Sequence, residues 1–333
     1  MHTFVLGTGS YVPPGRLSNA DLERIVATSD EWIVTRTGIS ERAVAAPEQA
    51  TSDLAYEASV SALRNAGLTA GEIDLIIVAT ETPDHPFPPV ACQLQHRLGC
   101  RKIAAFDLHL VCTGFIAALH TADALLRTGA YRHALIVGAD TLTRFTDYSD
   151  RSTCILFADG AGAFILAADN ASSECSAASA NHSRGILHSA LHTDGEHFEA
   201  AIIPGGGSRY PHPHEEHPAK IKMEGNTIFK HAVNAMSEAV RESLTACGLS
   251  TADLDWIIPH QANQRILDAI ARNLAIPNTK IISNIAWIGN NSAATIPLAV
   301  DAAVQDRRIR QGHKLMLTAF GGGLAWGSAL IKF

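Results

Sequence analysis

The stretch Asn65-Ala66-Gly67-Leu68-Thr69-Ala70-Gly71-Glu72-Ile73-Asp74-Leu75-Ile76-Ile77 recurs as Ala246-Cys247-Gly248-Leu249-Ser250-Thr251-Ala252-Asp253-Leu254-Asp255-Trp256-Ile257-Ile258, so that Asp74 falls on Asp255 at an offset of 181 residues. Each copy follows an amphipathic pattern, Ser52 to Arg64 and Ile228 to Thr245. Carried forward, the same offset sets the strand-like run His133 to Val137 on Lys314 to Thr318. It also sets Cys112 on Ala293, and the apolar helix after Cys112 on Thr295 to Val304. Helix, strand, buried helix and strand thus recur in order and spacing. The chain reads as a duplicated α/β fold, with mostly parallel sheets covered on both faces and the two apolar helices as a buried central pair. The expected organisation is an N-terminal half over 1–168, a linker with variable loops over 169–218, and a C-terminal half over 219–333.

Within the linker, Asp169 to Ser183 is rich in Ala, Ser and Asn and reads as exposed. The run Pro211 to Pro218, with His212, His214 and His217, reads as a solvated surface loop, because nothing in the sequence orders those side chains as metal ligands.

A chain of 333 residues with 47% hydrophobic content can bury a large core. A net charge of −7 argues against a general nucleic-acid binder and leaves an acidic partner only a local basic patch to dock on. The six cysteines show no CxxC pairing and no zinc-ligand spacing, and Met1-His2-Thr3-Phe4 does not read as a signal peptide. The expectation is free thiols in a reducing cytoplasm. No apolar run is long enough to span a bilayer.

Cys112 ends the run Ala104-Ala105-Phe106-Asp107-Leu108-His109-Leu110-Val111-Cys112, which reads as a buried strand, and the helix pattern Thr113 to Leu126 follows it. A cysteine at a strand-to-helix junction faces the positive end of the helix dipole, where a thiolate is favoured. A nucleophile needs partners that handle protons or stabilise charge. His260, in Pro259-His260-Gln261-Ala262-Asn263, follows the strand pattern Leu254 to Ile258 and sits at a strand's carboxyl end. Asn290 lies in Gly289-Asn290-Asn291-Ser292, just before the second central helix. The repeat puts all three at related corners of the two halves, where they can hold an acyl group and stabilise an oxyanion. Phe320-Gly321-Gly322-Gly323-Leu324 ends a strand, and its bare backbone can supply an oxyanion donor. Asp159-Gly160-Ala161-Gly162-Ala163 reads as a tightly packed turn with no chemistry.

These residues resemble the β-ketoacyl-acyl carrier protein synthase III family of the thiolase superfamily. The resemblance runs nearly end to end: Thr28-Ser29-Asp30-Glu31-Trp32-Ile33, Arg36-Thr37-Gly38-Ile39, Asp107 to Phe115, Asp150-Arg151, Phe157 to Ala163, Pro259 to Asn263, Gly289 to Ala294 and Ala319 to Leu330. It implies a thiolase-like αβαβα layered fold and a decarboxylating Claisen condensation that initiates fatty acid synthesis. Cys112 takes an acyl group from acyl-CoA, with the N–H groups of Cys112 and Gly322 as oxyanion hole. His260 and Asn290 then hold the thioester carbonyl of malonyl-acyl carrier protein as carbon dioxide leaves. Phe320 shields the cysteine from water. No metal and no cofactor are implied, because decarboxylation itself generates the carbanion.

The resemblance also implies a pantetheine tunnel. Trp32 and Arg151 clamp the CoA adenine, Thr28 and Arg36 bind the nucleotide end, and Gly225, Asn226 and Asn263 line the tunnel. Trp32 and Arg36 are four apart and share a helix face in any case. Ile266 is either tunnel wall or core. Phe87, in Asp84-His85-Pro86-Phe87-Pro88-Pro89, matches the loop that closes the acyl pocket across a homodimer interface, and Lys230, Arg265 and Arg272 match the patch that docks the acidic carrier protein.

The chain departs from the family's pattern in places. His109-Leu110-Val111 stand where small alanines commonly precede the cysteine, Ile285-Ala286-Trp287-Ile288 replace a polar stretch before Asn290, Leu324 replaces a frequent phenylalanine, and 169–218 is longer than usual. These leave the acyl specificity open. Two alternatives stand beside the main reading: a specialised-pathway ketosynthase or acyltransferase with an unusual starter, and a non-catalytic partner subunit.

Overall fold

A computed structural model describes residues 2–169 and 184–333. The N-terminal half opens with β1 (His2–Tyr11). A small ribbon of β2 (Gly15–Ser18) and β3 (Glu41–Val44) encloses α1 (Asn19–Leu22) and α2 (Asp30–Thr37). Then come α3 (Thr51–Ala66), β4 (Leu75–Ala79), α4 (Val90–Leu98), β5 (Ala104–Leu108), α5 (Gly114–Arg127), β6 (His133–Thr141) and β7 (Asp159–Asp169). The C-terminal half contains β8 (Gly185–Thr193), the short pair β9 (Ala201–Ile202) and β10 (Lys222–Met223), α6 (Gly225–Ala246), β11 (Trp256–Pro259), α7 (Gln264–Asn273), α8 (Ile285–Ile288), α9 (Thr295–Gln305), β12 (Lys314–Gly321) and β13 (Ala325–Lys332).

The duplicated stretch does the same structural work twice. Gly67 and Gly248 both take left-handed φ values, 68° and 65°, which stop α3 and α6 at little steric cost. Thr69 and Ser250 then cap a short 3-10 turn, the N–H of each donating to the carboxylate of Glu72 or Asp253 at 2.9 Å. Asp74 accepts the N–H groups of Arg132 and His133 at 2.8 and 3.0 Å, and Asp255 accepts that of Lys314 at 2.7 Å. Each aspartate thereby ties the start of one strand to the start of its neighbour, β4 to β6 and β11 to β12.

The larger sheet has the order β1-β7-β6-β4-β5 and the smaller one β8-β13-β12-β11. They match strand for strand except that β5 has no strand counterpart: a single parallel bridge from Ile257 of β11 to Ile281 stands in that place. Five layers result. α3 and α4 cover one face of the first sheet with Leu54, Ala58, Ala62, Val90 and Leu94. α6 and α7 cover the outer face of the second with Met236, Val240, Ile266 and Ile270, so Ile266 is 5% exposed and belongs to this core. Between the sheets lie α5 and α9, buried through Phe115, Ile116, Leu119, Ile296, Ala299 and Val300.

Three expectations change. The sheets are mixed rather than mostly parallel: β4 pairs in parallel with β5 and β6, and β11 with β12, but β1–β7, β6–β7, β12–β13 and β13–β8 are antiparallel; β7 and β13 each return directly from the preceding strand with no α-helix to cross over. The span 169–218 is not simply a linker. Asp169 ends β7, and Gly185–Thr193 forms β8, the counterpart of β1, so the C-terminal half begins well before 219; residues 170–183 lie outside the described residues. Asp159 to Ala163 is the start of β7 and not a turn; a Cβ on Gly162 would lie 2.7 Å from Pro297, so this strand lets α9 approach closely. The His-rich loop is exposed over 211–216, as expected, and Tyr210 stacks on His217 at 3.5 Å between ring centroids. Among the described residues no three His, Cys, Asp or Glu side chains converge as metal ligands.

Candidate active site

Cys112 lies in a 3-10 turn, Val111–Thr113, immediately before α5. Its counterpart is the turn Ser292–Ala294 before α9. Val111 and Ser292 occupy equivalent positions and both have left-handed φ values, 45° and 49°. The turns meet at the centre of the molecule, and β12 backs them: a Cβ on Gly321 would lie 2.8 Å from the Cys112 backbone nitrogen. Phe320 is 4% exposed and packs with Leu324, beside a cavity of about 210 Å³ lined also by Lys230, His231 and Trp326.

His260 follows β11 and is 2% exposed. Its N–H donates to Thr318 O at 2.8 Å, which fixes the residue at the strand's end. Burial lowers its pKa to about 3, so the imidazole is neutral. Its Nδ1 lies 2.7 Å from Thr295 Oγ1, and that hydroxyl is also 3.0 Å from Ser292 O. Asn290 is clamped by backbone bonds to Leu156 and Ala158 at 3.0 and 2.9 Å, and its Oδ1 accepts the Ser292 N–H at 2.9 Å. With the amide oxygen taken, the amide NH₂ of Asn290 is the group left to donate. Thr295 and Ser292 therefore connect His260 to Asn290. Neither was singled out in the sequence, although the repeat, by placing Ser292 opposite Val111, held the signal.

The thiolate expected from the helix dipole is not the resting form. Burial pushes the Cys112 thiol up to about 12, and the charges of Asp140 and Glu81 push the same way, while the Ser292 hydroxyl opposes them. The helix begins two residues past the sulfur, at Gly114, and desolvation outweighs its end charge.

The remaining positions fall into three groups. Trp32, on α2, is flanked by Arg36 and Arg151, whose guanidinium carbons lie 5.4 and 4.5 Å from its ring centroid. Arg151 also donates to Ala27 O at 3.0 Å, and the Thr28 hydroxyl is buried without a partner. Asn263 caps α7 by accepting the Arg265 N–H at 2.8 Å, and Gly225 and Asn226 start α6 in solvent. Lys230, Arg265 and Arg272 are exposed, with Arg265 over Phe229 of α6 at 5.8 Å; none forms an ion pair among the described residues. Phe87 is 83% exposed, in the loop before α4, whose first N–H groups are held by Asp107 of the edge strand β5. The bulky residues before Cys112 do fit: Val111 takes a left-handed φ with its N–H held by Glu81 at 2.6 Å, and His109 is exposed and turned to the same carboxylate at 3.3 Å. Trp287 is 64% exposed on α8. Cys92, Cys100, Cys112, Cys154 and Cys247 are free thiols; Cys175 lies outside the described residues.

Two similar halves, with a cysteine at the start of one central helix and an asparagine at the start of the other, define a condensing enzyme of the thiolase fold. Residues 106–195 match the family of 3-oxoacyl-[acyl-carrier-protein (ACP)] synthase III, and 244–333 match its C-terminal region. The chain is 47% identical over 333 residues to the β-ketoacyl-[acyl-carrier-protein] synthase III of Xanthomonas campestris, covering 100% of this chain and 99% of that one. It is 48% identical over 330 residues to that of Thiobacillus denitrificans, covering 99% and 98%. The crystal structure of 3-oxoacyl-[acyl-carrier-protein] synthase III from Aquifex aeolicus superposes with a TM-score of 0.90 at 40% identity, covering 99% of this chain and 100% of that one. The chain belongs to the β-ketoacyl-acyl carrier protein synthase III family and is an acyltransferase of the condensing type.

Proposed function

We propose that the chain joins an acyl-CoA starter to malonyl-acyl carrier protein through an acyl-Cys112 intermediate, as the first condensation of fatty acid synthesis. The observation that carries the reading is the buried hydrogen-bonded set His260–Thr295–Ser292–Asn290 beside the Cys112 turn. In the first half-reaction the Cys112 sulfur forms a new thioester with the acyl carbon, and the bond between that carbon and the CoA sulfur breaks. The thiol proton ends on CoA, so the step is proton-neutral. The N–H groups of Cys112 and Gly322 hold the oxyanion. In the second, malonyl thioester loses carbon dioxide, and the electron pair left on carbon is stabilised as an enolate by donors from neutral His260 and Asn290. That carbon attacks the acyl-Cys112 carbonyl, and the expelled Cys112 thiolate takes up one proton. A neutral imidazole suits this role because it donates without placing a bare charge in a dry site.

An adenine ring needs about 3.5–4 Å to the groups on either face. Arg151 therefore swings off Trp32 when an adenine enters between them, and the buried Thr28 hydroxyl gains a partner. Gly225, Asn226 and Asn263 line the pantetheine path, and Lys230, Arg265 and Arg272 attract the carrier protein's acidic helix. β5 and the Phe87 loop form the contact between two copies. The reaction needs no metal or cofactor, and its setting is the cytoplasm; no helix among the described residues is long and apolar enough to cross a membrane. His260→Ala and Asn290→Ala are expected to cripple malonyl decarboxylation far more than Cys112 acylation. Equal loss of both steps would contradict their roles.

A further inference from the structure

The residue before the nucleophile is a β-branched valine in the left-handed region, at φ 45°. Such a residue is an outlier there and needs its surroundings to hold it. One side chain does so. Glu81 Oε1 accepts the Val111 N–H at 2.6 Å, and its other oxygen lies 3.3 Å from His109 Nδ1. Glu81 is itself fixed: its N–H donates to buried Asp140 Oδ1 at 2.8 Å, and the flanking Thr80 and Thr82 hydroxyls donate to the same oxygen at 3.2 and 3.1 Å. The opposite half repeats the device, since the left-handed Ser292 has its N–H held by Asn290 Oδ1 at 2.9 Å.

We propose that Glu81 is a positioning residue for acyl transfer, its carboxylate oxygen holding the Val111 turn that aims the Cys112 thiol and N–H at the thioester. The carboxylate acts as an acceptor and not through its charge, which on the contrary disfavours the thiolate beside it. The inference rests on Cys112 being the acylated residue.

Two rates at Cys112 test it, both read on the full chain by mass at the Cys112 peptide: acylation by a short acyl-CoA, and alkylation by iodoacetamide, which needs the thiol but no oxyanion hole. Glu81→Ala is expected to acylate about ten- to a hundredfold more slowly, while its alkylation does not fall. Glu81→Gln keeps an acceptor oxygen and loses the charge, so it acylates within about threefold of the parent and alkylates faster. Adding Val111→Gly to Glu81→Ala recovers most of the loss, because glycine adopts the left-handed turn unaided. Acylation at the parent rate in Glu81→Ala would overturn the proposal, as would Glu81→Gln as slow as Glu81→Ala, or no recovery with Val111→Gly. Should Glu81→Ala not fold, Glu81→Asp, too short to reach Val111, takes its place with the same outcomes. An adduct surviving Cys112→Ser would instead sink the nucleophile assignment, and this inference with it.

Discussion

Thr295→Val removes one hydroxyl from the centre of the site and leaves its volume almost unchanged. That hydroxyl has one proton and two acceptors in reach, His260 Nδ1 at 2.7 Å and Ser292 O at 3.0 Å. Pairing with Nδ1 fixes the orientation of the imidazole and leaves Nε2 as the ring nitrogen that can meet an enolate oxygen. Valine leaves Nδ1 unpaired in a residue that is 2% exposed. A buried polar group left without its partner costs about 1–3 kcal/mol, which is about five- to 150-fold in rate if the cost falls on the step that uses His260. The assay follows two half-reactions separately: acyl-Cys112 formation by intact mass, and carbon dioxide release from malonyl-acyl carrier protein. Decarboxylation falls within that range, acylation changes little, and Thr295→Ser restores both. Equal loss in both half-reactions, or full decarboxylation activity in Thr295→Val, would refute the reasoning.

Three further outcomes are expected. Trp32→Ala raises KM for acyl-CoA about tenfold with kcat little changed, because ring stacking on a planar group is worth about 1–2 kcal/mol; a fall in kcat alone would count against the clamp. Gly321→Ala places a Cβ 2.8 Å from the Cys112 nitrogen and should abolish acylation while the fold survives; an active variant would show that β12 can recede. Asp140 is fully buried, and burial first, with Glu81's charge second, raises its pKa from 3.8 to about 7. The folded protein then holds this proton where the unfolded chain releases it. Stability from this group therefore falls as pH rises from about 4 to 7, by on the order of 4 kcal/mol. Thermal melts should show Asp140→Asn gaining on the parent across that window, and a gap independent of pH would contradict the buried-carboxyl argument.

Much of the fold was legible because the repeated stretch carries its own local structure. Gly67 and Gly248 end helices, Thr69 and Ser250 cap turns, and Asp74 and Asp255 pin strand starts, all within a few residues of chain. Strand direction was less accessible, since β7 and β13 return without a helix and antiparallel pairing depends on contacts distant in sequence. β8 was missed although the offset places it opposite β1: Gly185-Ile186-Leu187-His188-Ser189-Ala190-Leu191-His192-Thr193 shares no residue pattern with that strand, only a place in the sheet. At the site, Cys112, His260 and Asn290 could be found because their chemistry is distinctive and the repeat locates them. Thr295, Ser292 and Glu81 could not, because their importance lies in what a hydroxyl, a carbonyl or a carboxylate reaches across the two halves. The resting state of Cys112 was misjudged for a related reason. A helix start can be read from sequence, but the desolvation that overrides it depends on how completely the halves close over the sulfur.

The most direct test of the central claim is the intact mass of the protein after incubation with a panel of acyl-CoAs, followed by addition of malonyl-acyl carrier protein. The expected result is a single acyl adduct, absent in Cys112→Ser, that disappears on the second addition as ketoacyl-acyl carrier protein forms. No adduct with any acyl-CoA, or an adduct that persists in Cys112→Ser, would contradict the account. An adduct that forms at Cys112 but never condenses would leave an acyltransferase and remove the condensation.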